Sequence, residues 1–338
     1  MRNAAITGWG MALPEQVLTN ADLERMVETS DEWIVARTGI RERRIAASSD
    51  TTLSLSLAAS RQALQVAGLA PADVDLIVVA TVTPDMFMPS TASLLQRELG
   101  AERAGAFDLA AACSGFVYAL NVAAQFIRAG TYDTVLVVGA DTLTRMIDFT
   151  DRGTCVLFGD GAGAVVLQAT EAPVGILSTL LGSDGRGACH LFVDGWGTGI
   201  VDDEDRTALR RPYMKMVGSE VFRFSVRVMG EAAEAVVKQA GLTLADIDLL
   251  IPHQANIRII DAAAKRLDLP RERIWANLDR YGNTSAASVP ICIAEAAAAG
   301  ALRPGMNVVL VAFGAGLSWG ATLVRWGTDG VERRGGGE

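Results

Sequence analysis

The chain has 338 residues, half of them hydrophobic and a fifth charged, and its formal net charge at pH 7 is −9. This length suggests about two domains, and the composition excludes an intrinsically disordered chain. The acidic balance excludes general nucleic-acid binding, which needs a basic surface.

The cysteine and histidine content indicates the cellular compartment of the protein and whether it holds a metal site. The four cysteines are widely spaced without a CxxC pair, which indicates reduced thiols rather than a disulfide framework. Only two histidines are present and no HExxH motif occurs, so we expect no metal site. No signal-peptide core or run of about 18 apolar residues is found. We therefore expect a soluble cytoplasmic protein without membrane attachment.

The first half of the chain alternates short apolar strands with helices. Runs of β-branched residues predict buried strands, and a glycine after an apolar periodic stretch predicts the end of a helix. The predicted elements are a strand at 4–8 that breaks at Gly8 and Gly10, a helix that begins near Ser30, a helix at 51–67, a strand at 72–82, a helix at 94–99, a strand at 133–141, and a glycine turn with a strand over 159–169.

The stretch 107–130 combines a strand end, a small-residue turn and a helix. Apolar residues at helical spacing from 113 to 127 predict a buried helix that ends at Gly130. Cys113 then lies in the first helical turn, where free N–H groups and the helix dipole stabilise an anion. We expect a lowered thiol pKa there, although a small buried cysteine is the more common case for such a stretch alone.

The second half of the sequence repeats the first. The matched segments are 68–78 with 241–251, 135–138 with 308–311, 113–130 with 283–300, and 163–167 with 320–324. In the first two pairs, the residue numbers of the matched segments differ by the same amount. The helix pair is aligned by its Ala-Gly ends, and this alignment places Asn283 opposite Cys113. Four matches in one order favour two similar α/β halves over chance.

The duplication predicts a domain division. The N-terminal half covers 1–171 and the C-terminal half covers 172–327. Residues 182–217 have no counterpart and are rich in Gly, Asp and Arg, so we expect an inserted loop or lid there. Residues 328–338 are predicted to be a flexible tail.

Three polar patches follow apolar strands in the second half. His253 follows one strand, Asn283 lies at a Gly-Asn turn, and a glycine turn at 314–316 follows another strand. Ligands bind at such strand ends in α/β folds. Each patch alone has a structural explanation, as a hydrogen-bonded histidine, a helix N-cap and a tight turn. Together with Cys113 they form a set that packing does not explain.

The sequence resembles the thiolase-fold condensing enzymes, and among them the 3-oxoacyl-[acyl-carrier-protein] synthase III family, over about 1–327. The motifs that carry the resemblance, in family order, are DEWIVARTGIRER, AACSGF, DRGTCVLFGDGAGA, PHQAN, YGNTSAAS and FGAGLSWG. GDGAGA is neither a Walker loop nor a dinucleotide fingerprint, because it lacks GK[ST] and the GxGxxG spacing. The resemblance implies an α/β, thiolase-like fold of two duplicated halves in αβαβα layers.

The resemblance also implies the chemistry of a ketosynthase that initiates type II fatty-acid synthesis. Cys113 would accept the acyl group of an acyl-CoA primer, acetyl-CoA or similar, and His253 and Asn283 would complete a catalytic triad. The backbone amides of Cys113 and Ala315 would form the oxyanion hole. Malonyl-acyl-carrier protein (malonyl-ACP) would lose CO₂, and its enolate would attack the acyl-cysteine. Ala315 departs from an all-glycine turn, and its methyl group is tolerated provided that φ is not positive.

Binding residues are assigned by the same resemblance. Trp33 and Arg152 would sandwich the adenine of coenzyme A, and a local basic patch would attract the acidic carrier protein. The coenzyme A contacts implied are Thr29, Trp33, Arg37, Arg152 and Asn256, and the carrier-protein contacts are Arg223, Arg258, Lys265 and Arg266. A solvated helix face explains any one of the last four equally well. No metal or cofactor is implied beyond the coenzyme A thioester, which is a substrate.

Segment 83–90 resembles the family segment that crosses a homodimer interface and closes the acyl pocket of the partner. Met88 stands at the position that faces the primer, where the best-known short-primer enzymes carry phenylalanine. Because methionine is flexible, primer length and branching stay open.

Related classes differ at single positions. A degradative thiolase needs a cysteine where this chain has Ser318, an elongating ketosynthase needs a histidine in place of Asn283, and the GFGPG turn of plant-type polyketide synthases is absent. A related condensing enzyme of a secondary-metabolite pathway, of polyketide or alkylquinolone type, stays open. The intact Cys113, His253 and Asn283 argue against a non-catalytic acyl-binding paralogue.

Overall fold

Residues 2–193, 213–328 and 330–331 are described by a computed structural model of the chain. The helices in these ranges are α1 (Asn20–Glu24), α2 (Asp31–Thr38), α3 (Thr52–Ala67), α4 (Thr91–Leu99), α5 (Gly115–Arg128), α6 (Arg152–Cys155), α7 (Gly218–Gln239), α8 (Ile257–Arg266), α9 (Leu278–Tyr281) and α10 (Ser288–Ala298). The strands are β1 (Asn3–Ala12), β2 (Gln16–Thr19), β3 (Glu42–Ile45), β4 (Leu76–Ala80), β5 (Gly105–Leu109), β6 (Thr134–Asp141), β7 (Gly161–Thr170), β8 (Gly175–Ser183), β9 (Leu191–Val193), β10 (Met214–Met216), β11 (Leu249–Pro252), β12 (Asn307–Gly314) and β13 (Ser318–Arg325).

The two larger sheets share one strand order. The first is β1-β7-β6-β4-β5 and the second is β8-β13-β12-β11. In both, the first two pairings are antiparallel and the third is parallel. A parallel bridge between Leu250 and Ile274 takes the place of the fifth strand in the second sheet. The internal repeat seen in the sequence is thus present in the strand topology, while the boundary at residue 171 stays a prediction.

Five layers result, because helices cover both faces of each sheet. α3 and α4 pack on the outer face of the first sheet, α7 and α8 on the outer face of the second, and α5 and α10 fill the space between the sheets. Along β4, Leu76 and Val78 face the middle layer, whereas Ile77 and Val79 face α3 and α4, as the two-residue period of a strand requires. The αβαβα layering is confirmed.

Helices α3, α4 and α5 end at or within two residues of the glycines that predicted their ends. β4 and β6, which were predicted as strands buried on both faces, are buried at every residue. These predictions are confirmed. The physical reason for the pattern is that a strand between two helix layers must be apolar on both faces.

The predicted break of β1 at Gly8 and Gly10 is wrong, since β1 continues to Ala12. A Cβ atom at Gly8 would lie 2.1 Å from the carbonyl oxygen of Ala63, and one at Gly10 would lie 2.3 Å from that of Ala59. Both carbonyls belong to α3, so these glycines allow the helix to pack directly on the strand.

Part of the predicted insertion at 182–217 is described. β9 pairs antiparallel with β10, so the described part forms a short two-stranded ribbon. Residues 194–212, on which most of the lid prediction falls, lie outside the described residues, as do residues 332–338 of the predicted tail.

No helix within the described ranges is both long enough and apolar enough to span a bilayer.

Candidate active site

Cys113 lies in a tight turn between β5 and α5. The turn is a 3₁₀ helix at Ala112–Ser114, and α5 begins at Gly115, two residues later than predicted. Ala112 adopts a φ of 47°, a strained value for a residue with a side chain. The turn directs Cys113 into a cavity of about 510 Å³. Its described lining is mainly apolar and consists of Thr81, Val82, Pro84, Phe87, Asp108, Ala110, Ala112, Cys113, Leu143, Met146, Phe158, Leu191, Phe192, Val193, Met214, Ser285 and Ala315.

A matching turn in the second half contributes Ser285 to the same cavity. This 3₁₀ helix spans Ser285–Ala287, and Ser285 has a φ of 53°. Ala112 and Ser285 are therefore equivalent, at the same offset along the chain as the matched strands. The residue opposite Cys113 is Ala286, and the predicted pairing with Asn283 is wrong. That pairing was counted from the helix ends, and α10 is three residues shorter than α5.

The glycine turn after β12 packs against the nucleophile turn. A Cβ atom at Gly314 would lie 2.7 Å from the backbone nitrogen of Cys113, so only glycine fits there. The next residue, Ala315, lines the cavity beside Cys113, and its φ is not positive. Its methyl group is therefore tolerated, as the resemblance required. The Ser114 and Ser318 hydroxyls lie 2.8 Å apart and join the two turns by a hydrogen bond.

His253 is a buried histidine at the end of β11. Its backbone N–H donates to the Val311 carbonyl at 2.8 Å, and its ring packs edge-on against Phe313 with centroids 5.4 Å apart. Burial lowers the pKa of His253 to about 3, so the ring is neutral at physiological pH. Neither ring nitrogen has a hydrogen-bond partner among the described residues, a common property of functional groups.

Asn283 is held beside the cavity wall by its backbone. Its N–H donates to Leu157 at 2.8 Å, and its carbonyl accepts from Gly159 at 3.0 Å, which places it next to Phe158. Its Oδ1 accepts from the Ser285 N–H at 2.9 Å. The carboxamide oxygen is therefore occupied, whereas Nδ2 makes no hydrogen bond to another described residue. Of the predicted triad, Cys113 lines the cavity, while His253 and Asn283 are not among its described lining residues.

The Cys113 thiol is not acidic in the structure. Burial is the main reason that its pKa is raised to about 12; the neighbouring Ser285 hydroxyl opposes this rise, and the Asp141 carboxylate adds a smaller increase. That hydroxyl makes no hydrogen bond of regular geometry to another described residue. The expectation of a lowered pKa is wrong for the substrate-free protein, because loss of solvent outweighs the stabilisation offered by the start of a helix.

The predicted coenzyme A residues lie on and around α2. The guanidinium groups of Arg37 and Arg152 lie 4.6 and 4.8 Å from the centre of the Trp33 ring. Arg152 also donates to the Glu28 carbonyl at 2.9 Å. Arg152 thus stacks directly on Trp33, and an adenine between them requires this guanidinium to move. The Asn256 carboxamide donates to the Arg37 carbonyl at 2.9 Å, and the buried Thr29 hydroxyl has no hydrogen-bond partner within the part of the chain that the structure describes.

The four predicted carrier-protein residues are exposed on α7 and α8. Arg223 pairs with Glu220 at 2.8 Å, and Arg266 pairs with Glu234 at 2.8 Å. Arg258 lies over the Phe222 ring at 5.1 Å, and Lys265 has no ion-pair partner among the described residues. Acidic neighbours therefore offset two of the four charges.

The loop at 83–90 carries three successive exposed apolar side chains. Met86, Phe87 and Met88 are 48%, 75% and 83% exposed. Phe87 also lines the cavity of its own chain, whereas Met88 does not. Such a patch is typical of a surface that a partner covers.

Sequence reasoning missed Asp141 and Ser285. Asp141 ends a buried strand, where an acidic residue normally indicates the start of a loop. Ser285 lies in the YGNTSAAS motif, in which only Asn283 was assigned a role. The signal available for Asp141 was its equivalence to Gly314, which stands at the offset shared by the matched strands.

Comparison with known proteins agrees with this geometry. The family description "3-Oxoacyl-[acyl-carrier-protein (ACP)] synthase III" matches residues 107–185, and the description of its C-terminal part matches 237–326. The beta-ketoacyl-[acyl-carrier-protein] synthase III of Symbiobacterium thermophilum is 56% identical over 327 residues, which are 97% of this chain and 99% of the relative.

Solved structures give the same result. 3-Oxoacyl-[acyl-carrier-protein] synthase III from Aquifex aeolicus superposes with a TM-score of 0.90 at 45% identity, over 96% of this chain and 100% of that chain. The priming beta-ketosynthase of a polyketide pathway superposes with a TM-score of 0.90 at 38% identity, over 96% of each chain. The thiolase-like fold predicted from the motifs is confirmed.

We predict that iodoacetamide alkylates Cys113 slowly and that the rate rises about tenfold per pH unit from about pH 7 to pH 9.5 without levelling. The thiolate fraction of a group with a pKa of about 12 grows throughout that window. Mass spectrometry of the Cys113 peptide gives the rate, and the exposed Cys189 in the same sample serves as the accessibility reference. A plateau below pH 8 would contradict the prediction.

Proposed function

Because the chain belongs to the 3-oxoacyl-[acyl-carrier-protein] synthase III family, we propose that Cys113 carries the acyl group and that His253 and Asn283 act on malonyl-ACP. The chain is an initiating ketosynthase of fatty-acid synthesis and an acyltransferase. The observation that carries the residue assignment is the position of Cys113, on a strained turn that lines the cavity and packs against the glycine turn of the other half.

The first half-reaction transfers the acyl group from coenzyme A to Cys113. The sulfur attacks the thioester carbon, the bond from that carbon to the coenzyme A sulfur breaks, and the thiol proton leaves with the departing coenzyme A sulfur. Proton transfer accompanies the attack, because a thiol with a pKa of about 12 keeps its proton at neutral pH. The backbone N–H groups of Cys113 and Ala315 bind the oxyanion. Both residues line the cavity, which supports this role.

The second half-reaction forms the new carbon–carbon bond. Malonyl-ACP loses CO₂, and the electron pair of the broken bond forms an enolate. The His253 ring N–H and Asn283 Nδ2 donate hydrogen bonds to the enolate oxygen, where negative charge develops. The enolate carbon attacks acyl-Cys113, 3-oxoacyl-ACP is released, and the sulfur takes a proton from solvent. The low pKa of His253 supports a neutral donor.

Binding residues for both substrates follow from the same assignment. We propose that Thr29, Trp33, Arg37, Arg152 and Asn256 bind coenzyme A, and that Arg223, Arg258, Lys265 and Arg266 meet the carrier protein. The two guanidinium groups around Trp33 support a site for an aromatic, anionic ligand. No metal or other cofactor is part of the proposal. The four free cysteines support a reducing compartment, the cytoplasm.

A second candidate function is priming in a secondary-metabolite pathway. The 38% sequence identity to a polyketide priming ketosynthase supports this second function. The identity to the beta-ketoacyl-[acyl-carrier-protein] synthase III of Symbiobacterium thermophilum is higher, at 56%, and supports the first. We propose acetyl-CoA or a similar short acyl-CoA as the primer. A panel of acetyl-, propionyl-, isobutyryl- and octanoyl-CoA with malonyl-ACP, read by product mass, separates the two, and turnover of octanoyl-CoA alone would contradict the proposal.

Acyl transfer to Cys113 is the direct test of the proposed function. We predict that acetyl-CoA adds one acetyl mass to the wild-type protein, located on the Cys113 peptide, and none to Cys113→Ala. Cys189→Ser is the matched control, since it removes an exposed thiol and should acylate normally. Label on another residue, or product from Cys113→Ala at wild-type rates, would overturn the assignment.

Asn283→Asp tests the donor role in the second half-reaction. The variant keeps the oxygen that accepts from Ser285 but places a carboxylate where the enolate forms, which disfavours a second negative charge. We predict about a 100-fold loss or more of condensation, with acylation of Cys113 by acetyl-CoA retained. Rapid-quench measurement of each half-reaction decides this, and equal losses in both would contradict the role.

We also propose a homodimer in which Met88 reaches the acyl pocket of the partner, as its exposure supports. A mixture of two inactive variants, Cys113→Ala and Met88→Glu, should recover up to about a quarter of wild-type activity after subunit exchange, because each heterodimer holds one intact site. Met26→Glu, at another exposed methionine, is the control and should stay active alone. Absence of recovery in proven heterodimers would contradict the exchange of Met88.

A further inference from the structure

Asp141 is a fully buried carboxylate at the end of β6, and no cation among the described residues pairs with it. Its oxygens accept five hydrogen bonds instead. Oδ1 accepts from the hydroxyls of Thr81 and Thr83 at 3.0 and 2.9 Å, and from the N–H groups of Val82 and Thr83 at 2.9 and 3.2 Å. Oδ2 accepts from the Ala286 N–H at 3.3 Å. Such a carboxylate costs solvation free energy that these bonds offset.

These bonds join two parts of the site. Thr81 and Val82 leave β4 and line the Cys113 cavity. Ala286 lies in the turn whose first residue, Ser285, donates to the Asn283 carboxamide oxygen. The single carboxylate thus connects the cavity wall to the turn that orients Asn283.

The same turn fits tightly against β6. A Cβ atom at Gly139 would lie 2.3 Å from the Ala286 carbonyl oxygen, and Ser285 holds a left-handed φ of 53°. A residue with a side chain adopts this conformation only where its surroundings enforce it. The bond from Ala286 to Asp141 is one of the contacts that enforce it.

Asp141 does not act by making the nucleophile more acidic. Its negative charge raises the pKa of the Cys113 thiol, in addition to the larger effect of burial. A carboxylate in this place opposes formation of the thiolate, so its benefit must come from what it holds.

We propose that Asp141 is a positioning residue for condensation, which fixes the Ser285–Ala287 turn, and through it the Asn283 carboxamide, relative to the cavity wall at Thr81 and Val82. The inference rests on the proposed function, because it assigns to Asn283 the donor role described above. It adds a residue that touches neither substrate.

Asp141→Asn is the test. Asparagine has the shape of aspartate, but one of its two ends is a donor and cannot accept from Ala286 or from the cavity wall. We predict that condensation of pre-formed acetyl-Cys113 with malonyl-ACP slows about 100-fold, as expected for a misplaced group, while acylation by acetyl-CoA is not slowed. Alkylation of Cys113 by iodoacetamide at fixed pH should rise about threefold or more, because the opposing charge is gone.

Two further variants separate positioning from charge and from general stability. Gly139→Ala forces the Ala286 carbonyl away from β6 without a change of charge, so condensation should fall and alkylation should not rise. Asp160→Asn removes another fully buried carboxylate, one that binds Thr144 and Ala46 rather than the Asn283 turn. It should leave the ratio of condensation to acylation at the wild-type value.

The measurements distinguish failure of the positioning role of Asp141 from failure of the proposed function. If wild-type protein never forms acetyl-Cys113, the proposed function fails. If it does, and Asp141→Asn slows both half-reactions equally or leaves condensation at the wild-type rate, the positioning role is overturned. Circular dichroism and the melting temperature confirm that each variant is folded.

Discussion

The packing of Gly314 against the backbone of Cys113 is the constraint on which the site depends. It brings the end of a strand from the second sheet to the turn that begins α5, where a Cβ atom would be 2.7 Å from the Cys113 nitrogen. The Ser114–Ser318 hydrogen bond holds the same junction. Because the junction is buried between two sheets, its titratable groups lose solvent, which raises the pKa of Cys113 to about 12 and lowers that of His253 to about 3. Both groups are therefore neutral at physiological pH.

Two buried carboxylates accept hydrogen bonds near the cavity, and neither forms an ion pair with another described residue. Asp141 ends β6 and Asp160 precedes β7, so they lie at neighbouring strand ends. Asp160 accepts from the backbone and hydroxyl of Thr144 and from the backbone of Ala46, and burial raises its pKa to about 6. Thr144 lies between Leu143 and Met146, which line the cavity. Segments next to the cavity are thus tied by hydrogen bonds to carboxylates at the strand ends of the first sheet.

Much of the fold was predictable from the sequence because its signals are local. A strand between two helix layers needs apolar residues on both faces, as in β4 and β6, and glycines mark the helix ends. The errors arose where tertiary contacts decide. Gly8 and Gly10 resemble turn residues but make room for α3. The equivalence of Ala286 to Cys113 depends on a helix that is shorter in one half than in the other.

The candidate site was predictable in its motifs but not in its electrostatics. The motifs brought Cys113 and Ala315 to one cavity as predicted, whereas the triad roles of His253 and Asn283 stay predictions. The acidity of Cys113 depends on how much solvent the folded chain removes, which spacing along the sequence does not encode. The role of Asp141 depends on partners in distant parts of the chain, on β4 and in the second half, and no local pattern marks them.

The twin turns have an asymmetric outcome. Cys113 and Ala286 occupy the same place in the two halves, and so do Gly314 and Asp141, at the ends of β12 and β6. In the first half, the backbone N–H of Cys113 lies against Gly314, which has no side chain. In the second half, the backbone N–H of Ala286 donates a hydrogen bond to the Asp141 carboxylate. The duplicated turns therefore differ in chemistry: among the described residues, only the turn of the second half has its amide hydrogen-bonded to a buried carboxylate, whereas the turn of the first half carries the cysteine.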